Sequence, residues 1–319
     1  MVAMPMLLAG AAQIAADVQR LEVHYLANPA GALHFALLAD SLDADREVAA
    51  GDAALLAAAQ AGIARLNQTH GTVGGEPRFL LLHRRRVWNP SQRRWMGWER
   101  KRGKLRELNR LLRGACDTSF VSEAGRPPPV PGGVRYVIAL DADTRLPRGA
   151  ASRLIGTMAH PLHRPQEGPG GGIAAGYALV QPRLPAWLPT RSAGSLFQRL
   201  SSSAAGMDPY TAAVCDGYQD LFREGSYTGK GIYDVDAFEA ALAGRVPPNS
   251  MLSHDLFEGI FARTALATDI ELFEELPSQY DVAAARQHRW ARGDWQLLPW
   301  LFGGGRRPAS DRAGPPLSG

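Results

Sequence analysis

The chain has 319 residues and a formal net charge of +4, with 45% hydrophobic and 21% charged residues, a balance that excludes a disordered or fibrous protein. No stretch approaches the roughly 18 uninterrupted apolar residues a membrane helix needs, which excludes a helical span within these residues. Two cysteines, Cys116 and Cys215, have neither the density of a disulfide scaffold nor the spacing of a zinc site, and they fit a reducing compartment.

The first residues lack the basic region, long apolar core and cleavage site of a signal peptide and read as a strand cut short, so a fragment of a longer protein is expected. The length suits one large α/β domain over residues 1–302, and the Gly-, Pro-, Arg- and Ser-rich residues 303–319 are expected to be a disordered tail. Residues 2–8 form an apolar strand, followed by helical periodicity over 10–27 with Ile14, Val18 and Leu21 on one face. A second strand ends in Asp40, an Ala-rich helix covers 52–66, and a third strand runs over 79–83. Residues 103–113 have Leu105, Leu108, Leu111 and Leu112 at helical spacing, opposite a basic face. Arg84-Arg85-Arg86, Arg93-Arg94 and Arg100-Lys101-Arg102 crowd residues 83–104, where an anionic partner is expected. Tyr136-Val137-Ile138-Ala139-Leu140 is a strand of the kind buried on both faces of a parallel sheet. Strands alternating with helices predict an open, mostly parallel α/β sheet with ligands at the carboxyl ends of its strands, where Asp40 and Asp141 fall.

Three local features carry chemistry. Asp141-Ala142-Asp143 places two carboxylates on alternate positions after a buried strand, suited to one hard divalent cation, although an acidic pair also suits a solvated turn. Asp255, in Ser253-His254-Asp255, sits where a helix begins and reads either as a cap or as a general base. Arg286-Gln287-His288-Arg289-Trp290 lies on a helix expected to start near Asp281. Its guanidinium groups and indole suit a diphosphate and a sugar ring, or equally a membrane surface. Gly229-Lys230-Gly231 lacks the spacing of a phosphate loop and reads as a backbone wall near an acceptor.

Taken in order, Asp40, the segment around Lys104, Asp141-Ala142-Asp143, His254-Asp255 and Arg289-Trp290 resemble the motifs of processive family-2-type glycosyltransferases. Leu21-Glu22-Val23-His24-Tyr25, Trp98-Glu99-Arg100-Lys101-Arg102-Gly103-Lys104 and Arg223-Glu224-Gly225-Ser226-Tyr227-Thr228-Gly229-Lys230-Gly231 sharpen the likeness. They look like the glycosyltransferase region of bacterial cyclic β-1,2-glucan synthases, over roughly residues 2–302. The resemblance implies a GT-A type α/β fold and inverting transfer of glucose from UDP-glucose to a β-glucan acceptor. By it, Asp40 holds the uridine, Lys104 lies near the nucleotide, and Asp141 and Asp143 bind Mg²⁺ or Mn²⁺. Asp255 matches the catalytic base, with His254 beside it on the substrate side, and Arg289 and Trp290 match the end of the QxxRW motif that holds diphosphate and acceptor. Two departures stand out: Arg286 replaces the Gln of that motif, and His254 replaces the acid before the base.

The resemblance also implies membrane attachment through segments outside this chain and a location at the cytoplasmic face of the bacterial inner membrane. Two other readings remain: a non-processive β-glycosyltransferase of another linkage, and a truncated nucleotide-sugar binding module without turnover. Nucleic acid is not an expected partner, because a charge of +4 is small for that task.

Overall fold

Alternating strands and helices build the first 142 residues into one compact unit, and a second unit begins at Asp143. The computed structural model describes residues 1–29, 31–122, 125–168, 171–187, 195–201, 217–245 and 255–298, with the side chains of 199–201 and 218 set aside. The expected tail, Cys215 and His254 lie outside the described residues.

In the first unit, β1 (Val2–Leu8), α1 (Ala11–Ala27), β2 (Phe35–Ser41), α2 (Asp52–His70) and β3 (Phe79–Arg84) follow one another as the apolar periodicity predicts. After them come a hairpin of β4 (Val87–Asn89) and β5 (Arg94–Met96), then α3 (Arg100–Leu111) and β6 (Tyr136–Ala139). The order across the sheet is β6-β1-β2-β3, and every pairing is parallel. All seven residues of β2 are buried, as befits a central strand covered on both faces. Tyr25 meets the rings of Phe35 and Phe79 edge-on at 5.7 and 5.4 Å. Each fully buried Phe or Leu of this core contributes roughly 1.5–3 kcal/mol.

The second unit opens on β7 (Thr144–Arg145) and α4 (Ala150–Ala159), and its sheet is built on β8 (Leu179–Arg183). β8 pairs antiparallel with β9 (Gly231–Asp234), which runs into α5 (Val235–Leu242). On its other side β8 pairs parallel with β10 (Thr264–Glu271), which follows α6 (Asp255–Ala262). β11 (Phe273–Glu274) pairs antiparallel with β7, placing Glu274 opposite Thr144. The last described element is α7 (Tyr280–Trp295). The expected α/β class with predominantly parallel pairing and flanking helices therefore holds. No helix among the described residues is long and apolar enough to cross a membrane.

One expectation needs correcting. The basic run at 83–104 is not a uniform anion-facing surface, because Arg84 and Arg86 are buried. Arg86 donates to the carbonyls of Leu42 and Glu47 at 2.6 and 2.8 Å and grips Asp52 with its fork. Arginine supplies five donors in a rigid plane, so it serves inside a fold wherever acceptors surround it. The polar side of α3 is also partly interior, for Lys104, Glu107 and Asn109 are buried beside Leu105 and Leu108.

Candidate active site

The register of the parallel strands creates the polar centre of the first unit. Asp40 on β2 is the direct partner of Arg84 on β3, so two residues 44 apart meet at the strand ends. Arg84 donates to Asp40 through Nε and Nη2 at 2.8 and 2.9 Å, and to Glu107 at 3.1 Å. It also donates to the carbonyls of Trp98 and Arg100. Glu107 in turn accepts from Thr118 Oγ1 at 2.9 Å and from the backbone and hydroxyl of Ser119. A fully buried guanidinium is tolerated only when its donors are satisfied in this way.

Lys104 reaches the same centre from α3, lying 3.1 Å from Asp40 Oδ2 and donating to the Met6 carbonyl at 2.9 Å. Burial pulls the Lys104 ammonium down to about 8, against the attraction of Asp40. Burial alone pushes the Asp40 carboxyl up, but Arg84 and Lys104 together hold it below the ordinary carboxylate value. Asp40 and Lys104, both singled out in the sequence, are thus brought into one ion cluster. At the end of the unit, Asp141 contacts Lys101, and the Ala142 carbonyl accepts from Arg20.

In the second unit, Asp143 immediately precedes β7, which is clamped to β11. Arg286 on α7 lies 3.4 Å from Asp143 and 3.3 Å from Glu274, and its guanidinium stacks 4.8 Å above the ring of Trp290. Glu274 is fully buried and is met at 2.5 Å by the buried Lys230. Asp143, Arg286 and Arg289 line an open cavity of about 590 Å³, together with Glu275 and Asp281.

Lys230 belongs to a turn whose shape is set by two glycines. Gly229 has φ +85° and Gly231 φ +151°, values costly for other residues. A Cβ on Gly229 would lie 2.7 Å from Asp255 Oδ2, and one on Gly231 would run into the Val180 carbonyl. The turn is anchored from behind by the buried Gln181, whose Oε1 accepts from the Thr228 amide at 3.0 Å and its hydroxyl at 3.2 Å. One helical turn beyond Asp255, Gly259 allows Tyr227 to pack against α6, since a Cβ there would lie 2.8 Å from that of Tyr227. Residues four apart share a helix face, so Asp255 and Gly259 both seat α6 on the 227–231 turn.

The sequence-predicted residues Asp143, Asp255, Arg289 and Trp290 therefore belong to one unit, with Asp40, Lys104 and Asp141 in the other; His254 is not described. Sequence reasoning missed Glu107, Glu274 and the internal role of Arg286. It read the Gly229-Lys230-Gly231 turn as a backbone wall and did not foresee that the Lys230 ammonium meets Glu274. Glu274 has no local signal that separates it from Glu271 or Glu275, and only the pairing of β11 with β7 turns it inward. Among the described residues no cluster of three or more His, Cys, Asp or Glu is placed to hold a metal ion by itself.

No protein-family model matches the chain. Over 303 residues, or 95% of this chain, it is 52% identical to the cyclic β-(1,2)-glucan synthase NdvB of Rhizobium meliloti (strain 1021), of which it spans 11%. Among solved structures, S. aureus TarS aligns with a TM-score of 0.42 at 10% identity, covering 98% of this chain and 41% of that one. TarS 1–349 in complex with UDP aligns with a TM-score of 0.41 at 9% identity, covering 93% of this chain and 64% of that one. Structural likeness so slight transfers nothing, but 52% identity across nearly the whole chain makes it a homologue of a segment of that synthase. The resemblance read from the motifs stands.

Proposed function

We propose that this chain is the glucosyl-transferring part of a cyclic β-1,2-glucan synthase, a GT-A type domain that moves glucose from UDP-glucose to a growing β-1,2-glucan with inversion. The observation that carries this reading is the continuity of the second unit's polar residues. Asp143, Arg286, Glu274 and Lys230 form a chain of ion pairs, and the next residue along, Gly229, lies under the Asp255 carboxylate. An acid suited to metal and an acid suited to proton transfer are thus held by one framework.

Asp255 acts as the general base. It opens α6 and is only half-buried, so a substrate can reach its carboxylate. It takes the proton of an acceptor hydroxyl as that oxygen bonds to the anomeric carbon. The bond from that carbon to the phosphate oxygen breaks, and its electron pair leaves with UDP. Attack opposite the leaving group inverts the configuration from α to β.

Asp141 and Asp143 would hold Mg²⁺ or Mn²⁺. Their donor chemistry fits, since both are partly exposed carboxylates and each already faces a cation, Lys101 and Arg286 respectively. When bound, the ion offsets charge on the departing diphosphate. Arg289 grips the diphosphate, and the indole of Trp290 offers a face to the acceptor sugar; His254 keeps the substrate-binding role that the resemblance implies. Asp40 and Lys104 border the uridine at the carboxyl ends of the parallel strands. Segments outside this chain would tie the whole protein to the cytoplasmic face of the inner membrane.

The test is UDP release from UDP-glucose with and without Mn²⁺, on the wild type, Asp143→Ala and Asp255→Ala, with product linkage read by NMR. Metal-dependent turnover lost in both variants and a β-1,2 product support the assignment. Tight UDP-glucose binding with no turnover in any form points to a donor-binding module, and absence of binding overturns the reading.

A further inference from the structure

Part of the basic run at 83–104 stays outside the fold of the first unit, and it surrounds a pair of indoles. Residues 84–98 hold five arginines, three tryptophans and no acid. In the hairpin of β4 and β5, Val87 pairs with Met96, Trp88 with Trp95 and Asn89 with Arg94, so Trp88 and Trp95 share one face. Met96 and Asn89, on the opposite face, are buried. The inward side of the hairpin is closed further along: Gly97 lies so near Asp40 that a Cβ would collide with its carboxylate, and Trp95 and Ala44 exchange backbone hydrogen bonds at 2.9 Å. Trp88 is left 44% exposed, its ring 6.0 Å from that of Trp95 at an interplanar angle of 59°. A cross-strand aromatic pair steadies a hairpin, but it does not require the solvent side while an asparagine takes the interior.

The charges around the indoles are one-sided. Arg85, Arg93 and Arg94 are exposed, and among the described residues no carboxylate pairs with their side chains. In the loop bridged to Trp95, Arg100 meets Asp43 at 2.9 Å and Arg46 meets Asp45 at 3.4 Å, which leaves Glu47 as the one exposed acid there outside an ion pair among the described residues. A neutral sugar on this face would leave three guanidinium groups without a counter-charge, and two rings inclined at 59° do not offer parallel platforms to successive bases of a nucleic-acid strand.

We infer that this face of the hairpin rests on an anionic lipid surface, with Trp88 and Trp95 at the level of the headgroups and Arg85, Arg93 and Arg94 on their phosphates. Indole is apolar in its body and polar at its N–H, which suits the boundary between headgroups and acyl chains. The guanidinium fork matches a phosphodiester, and basic side chains are drawn to the negative potential of an anionic leaflet. The contact is made by this chain's own residues, apart from any attachment through segments outside it. None of these five residues is assigned to donor, metal or base, so vesicle binding and UDP release succeed or fail independently.

The test is co-sedimentation of the whole chain with vesicles of phosphatidylglycerol and phosphatidylcholine in equal parts, beside vesicles of phosphatidylcholine alone. Wild type is compared with Trp88→Ser and with the double variant Arg93→Gln/Arg94→Gln. Wild type is expected to partition onto the anionic vesicles, less so at raised salt. Each arginine lost should weaken that partition about fivefold, hence about 25-fold for the double variant, with no change on phosphatidylcholine alone. Trp88→Ser should weaken it about tenfold on the anionic vesicles, since a large apolar group no longer leaves water. The double variant changes only exposed side chains and carries the test if Trp88→Ser disturbs the hairpin. Absence of binding to the anionic vesicles, or binding that the double variant leaves unchanged, overturns the inference. So does a single-stranded RNA oligonucleotide or a linear β-1,2-glucan that binds wild type, loses its affinity in the same variants and displaces no vesicle, because the face would then belong to that ligand.

Discussion

The Asp255 carboxylate lies directly against the α-carbon of Gly229, so close that a methyl group there would sit 2.7 Å from Oδ2 and 2.8 Å from Oδ1. Gly229 also has φ +85°, so any side chain is both strained and in collision. Gly229→Ala should therefore displace Asp255 without touching the residues assigned to the donor. The expected outcome is a loss of roughly 10²-fold in kcat, the usual result of misplacing a catalytic group by about 1 Å, with UDP and Mn²⁺ affinities nearly unchanged. Steady-state kinetics beside calorimetric UDP binding check this. Equal losses in both would mean that the turn supports the whole unit rather than Asp255.

Asp255→Asn keeps the shape of the base and removes its ability to take a proton. It should cost about 10²–10⁴-fold in UDP release while donor binding persists, the range expected for general base catalysis. A variant that retains turnover would reduce Asp255 to the helix cap that its position at the start of α6 also permits.

How much of this was legible beforehand differs from residue to residue. The strands of the first unit are visible as continuous apolar runs because both faces of a parallel sheet are covered, and the acids Asp40 and Asp141 follow them conspicuously. Arg84 was not legible as an interior residue, since its neighbours Arg85 and Arg86 make the run look solvated. Its direct pairing with Asp40 appears only once β2 and β3 are in register. Lys230 and Glu274 escaped for the same reason: each is an ordinary charge in sequence, and 44 residues of chain separate two groups that neutralise one another. Periodicity reports which side of an element is buried, but it carries no information on which distant charge a buried ion will meet.

Breaking the Asp40–Arg84–Glu107 cluster should be among the more damaging changes available to the first unit. Arg84→Met removes a guanidinium that is fully buried and leaves two interior carboxylates facing each other without it. Losing one partner of a buried ion cluster costs about 3–5 kcal/mol, while a surface substitution stays within about 0.5 kcal/mol. Urea unfolding should show this gap between Arg84→Met and Arg85→Met, whose side chain is exposed. Equal midpoints would mean that Arg84 is not needed for folding.

The last expectation concerns Lys104 and follows its sign through. Burial lowers its ammonium from 10.5 to about 8, and Asp40 opposes that fall. NMR of ¹³C-labelled lysine should thus show one resonance titrating near pH 8, and Asp40→Asn should move it further down, because the attraction that props it up is gone. Between about 8 and 10.5 the unfolded chain holds a proton on this residue that the folded chain has released. Stability from this group therefore rises with pH across that window and is level below it. UDP binding should raise the same inflection if Lys104 borders the nucleotide, since a second anion would then join Asp40 in favouring the charged form. An inflection at the ordinary lysine value, or an upward move in Asp40→Asn, would mean that Lys104 is solvated and not part of the buried cluster.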